Sequence, residues 1–260
     1  MKFLTQIFLV ILNLFKISKF QGVEVEAPDD FWKIENNYTD AEEYKMRMDF
    51  ISAETRLLND LMRNYRKDIA PVYTKARTNQ PLRNRINFNY TLIYSRMLAL
   101  NEPQQIVELV VESYLAWEDP RLAYDPTKYD NIDVIVVNKD LVWIADFVSY
   151  DTQSSVEVRE PYACNVEIYA NGTLRYYRVN VVSFMCQMQV LDFPFDSQNC
   201  TYYLMSYSFG VVETLVHANT HRSFNYSVMT NGEWSVTNVS MKTIKSTYYD
   251  IDYQIARFSE

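Results

Sequence analysis

The sequence predicts an all-β fold, a sandwich preceded by a single N-terminal α-helix. Two observations carry that prediction. Past Pro71, short segments rich in Val, Ile, Tyr and Phe alternate with turn residues. Ahead of Pro71, one stretch repeats apolar residues at helical spacing. One helix followed by many short strands is the pattern of a sandwich.

The chain of 260 residues opens with Lys2 and an apolar run centred on Ile7-Phe8-Leu9-Val10-Ile11-Leu12. This has the form of a secretory signal over 1–22, with an uncleaved anchor as the alternative. Residues 23–50 are polar and unpatterned and read as a leader, and one large all-β domain is expected over 51–260. Ser52 is the expected N-cap of the helix. Leu57, Leu58, Leu61, Met62 and Tyr65 form its apolar face, and Asp68-Ile69-Ala70-Pro71 ends it.

Strands are expected at Ile106–Leu115, Val134–Val137, Ala163–Tyr169, Leu174–Val182, Thr201–Phe209, Trp234–Met241 and Tyr248–Phe258. Asn171-Gly172 and Asn231-Gly232 read as hairpin turns. No run of eighteen or more apolar residues occurs, so no transmembrane domain is expected within this sequence.

The net charge of −8 and the lack of a basic run argue against nucleic acid as a partner and mildly favour cationic ligands. Three cysteines in an exported chain suggest one disulfide and one leftover thiol. Cys164, expected on a strand face with Tyr162, Val166 and Ile168, is the odd one and reads as a buried thiol. Sequons at Asn37, Asn89, Asn171, Asn199, Asn225 and Asn238 agree with export and mark candidate glycosylation sites.

His217 and His221 lack further ligands at metal spacing, and Ala218-Asn219-Thr220 between them looks like a loop. No nucleophile elbow, phosphate-cradling glycine loop or CxxC occurs. An enzyme, a metal site and a cofactor are therefore not expected. The 21 tyrosines are notable; strand cores account for many of them.

Cys186 and Cys200 enclose QMQVLDFPFDSQN. If they pair, the ring removes about 3 kcal/mol of unfolded-chain entropy and holds the stiff tip Leu191-Asp192-Phe193-Pro194-Phe195-Asp196 in one shape. A structural disulfide with its tip in the core and a clamped apolar fingertip awaiting a partner both fit this spacing.

This loop resembles the signature of the Cys-loop, or pentameric neurotransmitter-gated, ion channel family, nearest to its nicotinic acetylcholine receptor branch. The resemblance extends to Glu54–Val72, Leu100–Ile106, Trp117-Glu118-Asp119 to Leu122, Val142-Trp143-Ile144-Ala145-Asp146 and Asn231-Gly232-Glu233-Trp234. It covers about residues 50 to 257. It implies an immunoglobulin-like twisted β-sandwich of about ten strands, assembled with other subunits in a homo- or hetero-pentamer. It also implies a small neurotransmitter-like ligand, bound between neighbours in an aromatic cage suited to a cation.

On the resemblance, Tyr150, Tyr207 and Tyr248 fall on the principal face of that cage. Glu112, Tyr114, Arg175 and Tyr177 fall on or near the complementary face. Trp117 and Trp143 are expected in the core. The adjacent cysteine pair of acetylcholine-binding subunits is replaced by Lys242-Thr243. Leu191, Phe193, Pro194, Phe195 and Asp196 would form the loop that couples binding to a membrane domain. The location implied is extracellular, secreted as written or on the outer side of the plasma membrane as part of a channel subunit. A secreted soluble neurotransmitter-binding protein and a non-gating adhesion module are the alternatives.

Overall fold

The structure, a computed structural model, describes residues 39–72, 85–149, 151–189, 196–210, 213–248 and 251–259. For residue 40 and for 245–248 and 251–259 it describes the backbone alone. The expected signal segment, most of the leader, Asn37, Tyr150 and Leu191–Phe195 lie outside the described residues. By compactness the chain divides into residues 1–47 and 48–260. The described part of the first opens a helix, and the second holds the rest of that helix and two sheets.

Helix α1 runs Asp40–Met62, so it begins twelve residues before the expected cap at Ser52. Its start is a capping box. Glu42 N donates to Thr39 Oγ1 (3.3 Å) and Thr39 N donates to Glu42 Oε2 (2.8 Å). Ser52 lies inside the helix, its hydroxyl donating to Met48 O. The first turns are mostly exposed and so carry no apolar stripe to mark them. Ala53 and Leu57 are fully buried. The helix stops at Met62, well before Pro71, where the chain bends to bring Tyr65 inward.

The larger sheet has the path β3-β6-β7-β2-β1-β9, with β5 also on β7. These strands are β1 (Ile86–Asn101), β2 (Ile106–Glu118), β3 (Val134–Asn138), β5 (Thr152–Glu157), β6 (Asn165–Tyr169), β7 (Thr173–Met185) and β9 (Thr214–Thr220). The smaller sheet has the order β10-β11-β8-β4, with β4 (Phe147–Ser149), β8 (Thr201–Ser206), β10 (Ser240–Tyr248) and β11 (Ile251–Ser259). All the pairings are antiparallel except β1 with β9.

Alternation explains the core. On β2, Val107, Leu109, Val111, Ser113 and Leu115 point inward; on β7, Leu174, Tyr176, Asn180, Val182 and Phe184 do so. Trp117, Phe88 and Phe184 are the largest of the fully buried side chains. Cys164 is fully buried beside Val166 and Ile168, as expected, whereas Tyr162 is exposed in a short 3-10 turn.

Three expected boundaries are corrected. Trp234–Val239 is irregular, because Asn231 Oδ1 accepts from both Glu233 N and Trp234 N, an Asx turn in place of a hairpin. The strand expected over Tyr248–Phe258 is instead the end of β10 and the whole of β11, paired as a hairpin. Ala218-Asn219-Thr220 belongs to β9, held by its parallel pairing with β1.

The Asn171-Gly172 turn does join β6 to β7. Gly172 sits at φ +84°, and a Cβ there would lie 2.9 Å from Asp119 O. Glycine alone fits both demands. Its carbonyl accepts from Asp119 N at 2.8 Å, which fixes the backbone of the most buried acid in the fold.

Burial raises several tyrosines. Tyr65, Tyr124 and Tyr176 are pushed up to about 12. Tyr90 and Tyr202 also move up, chiefly by burial. Each of these is neutral in the fold at a pH where the unfolded chain, with tyrosines near 10, ionises. Their contribution is complete below about pH 10 and is lost as pH rises toward 12 and beyond. Alkaline titration at 295 nm should therefore show a late tyrosine group that ionises together with loss of near-ultraviolet circular dichroism. Complete titration near 10 with the fold intact would contradict this.

Candidate functional site

The expected binding residues that the structure describes fall on two parts of the fold. Glu112 and Tyr114 lie on β2 and Arg175 and Tyr177 on β7, at positions alternating with the core residues. They share the outer face of the larger sheet. Tyr114 pairs with Tyr177 and Glu112 with Val179 across the two strands. The Tyr114 and Tyr177 rings lie 5.5 Å apart at 57°.

Arg175 is the centre of this face. Its Cζ lies 5.1 Å from the Tyr114 ring centroid and 5.0 Å from that of Tyr169. Its Nη1 donates to Tyr177 Oη (3.3 Å) and to Glu167 Oε2 (3.5 Å). Tyr169 Oη donates to Glu167 Oε2 at 2.8 Å. Desolvation works against the Arg175 charge, yet Tyr177, Tyr169 and Glu167 outweigh it and raise its pKa. The Nε proton is buried without a partner. Glu112 makes no hydrogen bond or ion pair among the described residues.

Sequence reasoning missed Glu167 and Tyr169. The signal was available in principle: the Asn171-Gly172 turn sets the register that brings Glu167 beside Arg175.

The second surface lies on the smaller sheet. Tyr207 follows β8 and is 73% exposed, so it packs into no core of this chain. Asp146 holds it there. Asp146 Oδ1 accepts from Ser206 Oγ (2.6 Å), Oδ2 from Ser208 N (2.7 Å), and Asp146 O from Tyr207 N (3.4 Å). These bonds also end β8 at Ser206, short of the Phe209 expected from sequence. Tyr248 ends β10, with its backbone opposite Ile251. β4 ends at Ser149, directly before Tyr150. Trp143 is half-buried against Trp117 and Phe88, and Trp117 is buried, as expected of core residues.

Cys186 and Cys200 are joined, with Cα atoms 5.1 Å apart. Gln198 closes the neck of this ring. Its Oε1 accepts from Gln189 N and its Nε2 donates to Gln189 O, both at 2.8 Å, and Nε2 also donates to Asp196. Cys186 N donates to Gln105 O (2.9 Å), tying the ring to the β1–β2 turn. Of the candidate glycosylation positions, Asn171, Asn199, Asn225 and Asn238 are exposed, while Asn89 is half-buried on β1. No group of three or more potential ligands places a metal site among the described residues, and no helix there is long and apolar enough to cross a membrane.

The framework is a two-sheet sandwich with a disulfide-closed loop, an aromatic face around Arg175 on the larger sheet and an exposed Tyr207 just after β8. The sequence places it more narrowly. Residues 54–258 match the neurotransmitter-gated ion-channel ligand binding domain, and the chain belongs to that family. It is 29% identical over 213 residues to the acetylcholine receptor subunit gamma of Gallus gallus, covering 77% of this chain and 40% of that subunit. It is 32% identical over 164 residues to the delta subunit of Xenopus laevis, covering 62% and 30%. It is 24% identical over 208 residues to the neuronal beta-4 subunit of Rattus norvegicus, covering 78% and 40%. The chain thus spans well under half of the length of these relatives.

Proposed function

We propose that this domain binds a small amine on the extracellular side of a membrane, at an interface between subunits of a pentamer, and passes the binding on through the Cys186–Cys200 loop. The observation that carries this reading is the split of the site. Tyr207, just after β8, and Tyr248, the last residue of β10, go with one sheet, and Glu112, Tyr114, Arg175 and Tyr177 with the other, so one chain supplies two half-sites that neighbouring copies complete. Tyr150 joins the first half-site by its place after β4. Leu191, Phe193, Pro194, Phe195 and Asp196 serve as the coupling tip. The exposed sequons at Asn171, Asn199, Asn225 and Asn238 suit glycosylation on that side.

The chemistry of the second half-site selects the ligand. Aromatic faces attract cations, but the Tyr114 and Tyr169 faces are already occupied by Arg175. A quaternary ammonium gains little there. Glu112 offers a carboxylate with no competing partner among the described residues, and a primary amine can donate hydrogen bonds to it.

Titration of the purified chain with ethanolamine and with choline separates the two. Ethanolamine should bind about tenfold more tightly, the size of one charge-assisted hydrogen bond. Glu112→Gln should abolish that preference. Equal affinity of the wild-type protein for both amines removes the reading of Glu112, and a strict monomer in light scattering removes the interface.

A further inference from the structure

A cavity of about 590 Å3 lies between the segment Lys139–Phe147 and strands β5 and β7, and none of the expected binding residues lines it. Trp143, Phe147 and Tyr176 give it aromatic walls, and Arg178 and Asn180 reach it from β7. Arg178 holds an unusual position. In the alternation of β7 it falls with Leu174, Tyr176, Asn180 and Val182 on the face that points into the sandwich. Its charge acts on the buried hydroxyls of Tyr90 and Tyr202.

A guanidinium carries five donors, and burying it without partners is costly. Among the described residues Arg178 makes one long hydrogen bond, from Nη1 to Phe147 O at 3.4 Å, and no ion pair. The other half-buried arginines differ. Arg121 is paired with Asp119, Arg159 with Glu157 and Arg175 with Glu167.

The acids of the cavity wall do not supply the missing partner. Glu157 is held by Arg159 and by Val179 N. Asp68 pairs with Arg66. Asp140 accepts from Lys67 Nζ through its carbonyl, and its carboxylate makes no ion pair among the described residues, while Lys67 and Lys139 add positive charge to the same lining. With two of its three acids neutralised by arginines outside the lining, the cavity is left cationic.

We propose that this cavity binds a small monocarboxylate with an apolar body, its two oxygens seated on the fork of Arg178 and its body between Trp143, Phe147 and Tyr176. A carboxylate matches the planar fork two bonds at a time. The apolar body matches the aromatic walls. The site is independent of the amine reading, because it shares no residue with either half-site.

The test uses the whole chain, with benzoate as probe and benzyl alcohol as its uncharged counterpart. Calorimetry and the Trp fluorescence of the protein should report one saturable benzoate site per chain. Benzyl alcohol should bind at least about tenfold more weakly, as expected for loss of a bidentate ion pair. Arg178→Gln should weaken benzoate by a similar factor and leave benzyl alcohol unchanged. Arg178→Lys, which keeps the charge and loses the fork, should fall between. Should Arg178→Gln fail to fold, the wild-type comparison and Arg178→Lys still decide. Absence of a saturable benzoate site, equal binding of the two probes, or undiminished benzoate affinity in a folded Arg178 variant overturns the proposal. Loss of amine binding with benzoate binding intact would count against the interface reading alone.

Discussion

Replacing Asp119 by alanine should lower stability by about 3–5 kcal/mol, the cost of removing one partner of a buried pair. Asp119 is wholly buried. Its Oδ1 accepts from Arg121 N (3.1 Å) and Nε (2.8 Å), and its Oδ2 from Arg121 Nη2 (2.7 Å) and Tyr65 Oη (2.9 Å). Arg121 lies over the Tyr65 ring, 4.6 Å from its centroid. Tyr65 Oη in turn accepts from Trp143 N at 3.0 Å.

One carboxylate thus joins the segment after the helix, the end of β2 and the segment that leads to Asp146. Because a third of the Arg121 side chain is exposed, water can take over part of its bonding, which favours the lower end of the range. At about 2–4 °C per kcal/mol for a domain of this size, Tm should fall by about 6–20 °C. Tyr65→Phe should cost less, about 1.5–3 kcal/mol, because it removes one bond to the charge and leaves the Arg121 pair. A loss below 1 kcal/mol for Asp119→Ala in denaturant titration would show that the node is dispensable. The variant should also loosen the turn bearing Tyr207, since Asp146 lies three residues beyond Trp143.

The second large effect concerns the closed loop. Cys186→Ser with Cys200→Ser should destabilise by about 2–5 kcal/mol. Both cysteines are buried in the core, and Phe184, two residues before Cys186, packs against Tyr202, two after Cys200, with ring centroids 5.3 Å apart and planes tilted by 47°. The bridge therefore joins β7 of one sheet to β8 of the other. Its loss frees the neck that Gln198 otherwise fastens with only neutral, largely exposed hydrogen bonds to Gln189. The denaturant midpoint of the double variant checks this, and an unchanged midpoint would show that packing alone fixes the neck. Cys164, fully buried, should resist alkylation in the native state of either protein.

Sequence legibility followed burial. The interiors of β2 and β7 were readable because every second residue meets the core, and a period of two is what a half-buried strand imposes. The first half of α1 was not, because an exposed helix needs no apolar stripe; its sign was Thr39 with Glu42, a local capping pattern. β9 was hidden because His217 and Asn219 sit on a strand held by its backbone pairing with β1. The Asn231-Gly232 pair misled because the same residues serve hairpins and Asx turns, and the bonds of Asn231 choose between them.

On β2 and β7, alternation put Tyr114 and Tyr177 on one face, but charge pairing across strands decided which aromatic faces stayed open. Arg175 is one residue among many basic ones until the β6–β7 register sets Glu167 beside it. Asp146 was visible as part of a motif, and only the fold gave it the task of holding Tyr207.

The sequence by itself determined the class of fold, through local periodicity, and the family, through the order of its motifs, while the pairing of Cys186 with Cys200 stayed conditional until the fold joined them. The tertiary structure decided where charges end up: Asp119 sealed under Arg121, Arg175 laid over Tyr114, Arg178 turned inward without an ion pair among the described residues. Electrostatic pairing depends on distances between strands remote along the chain, and no spacing within one strand records them.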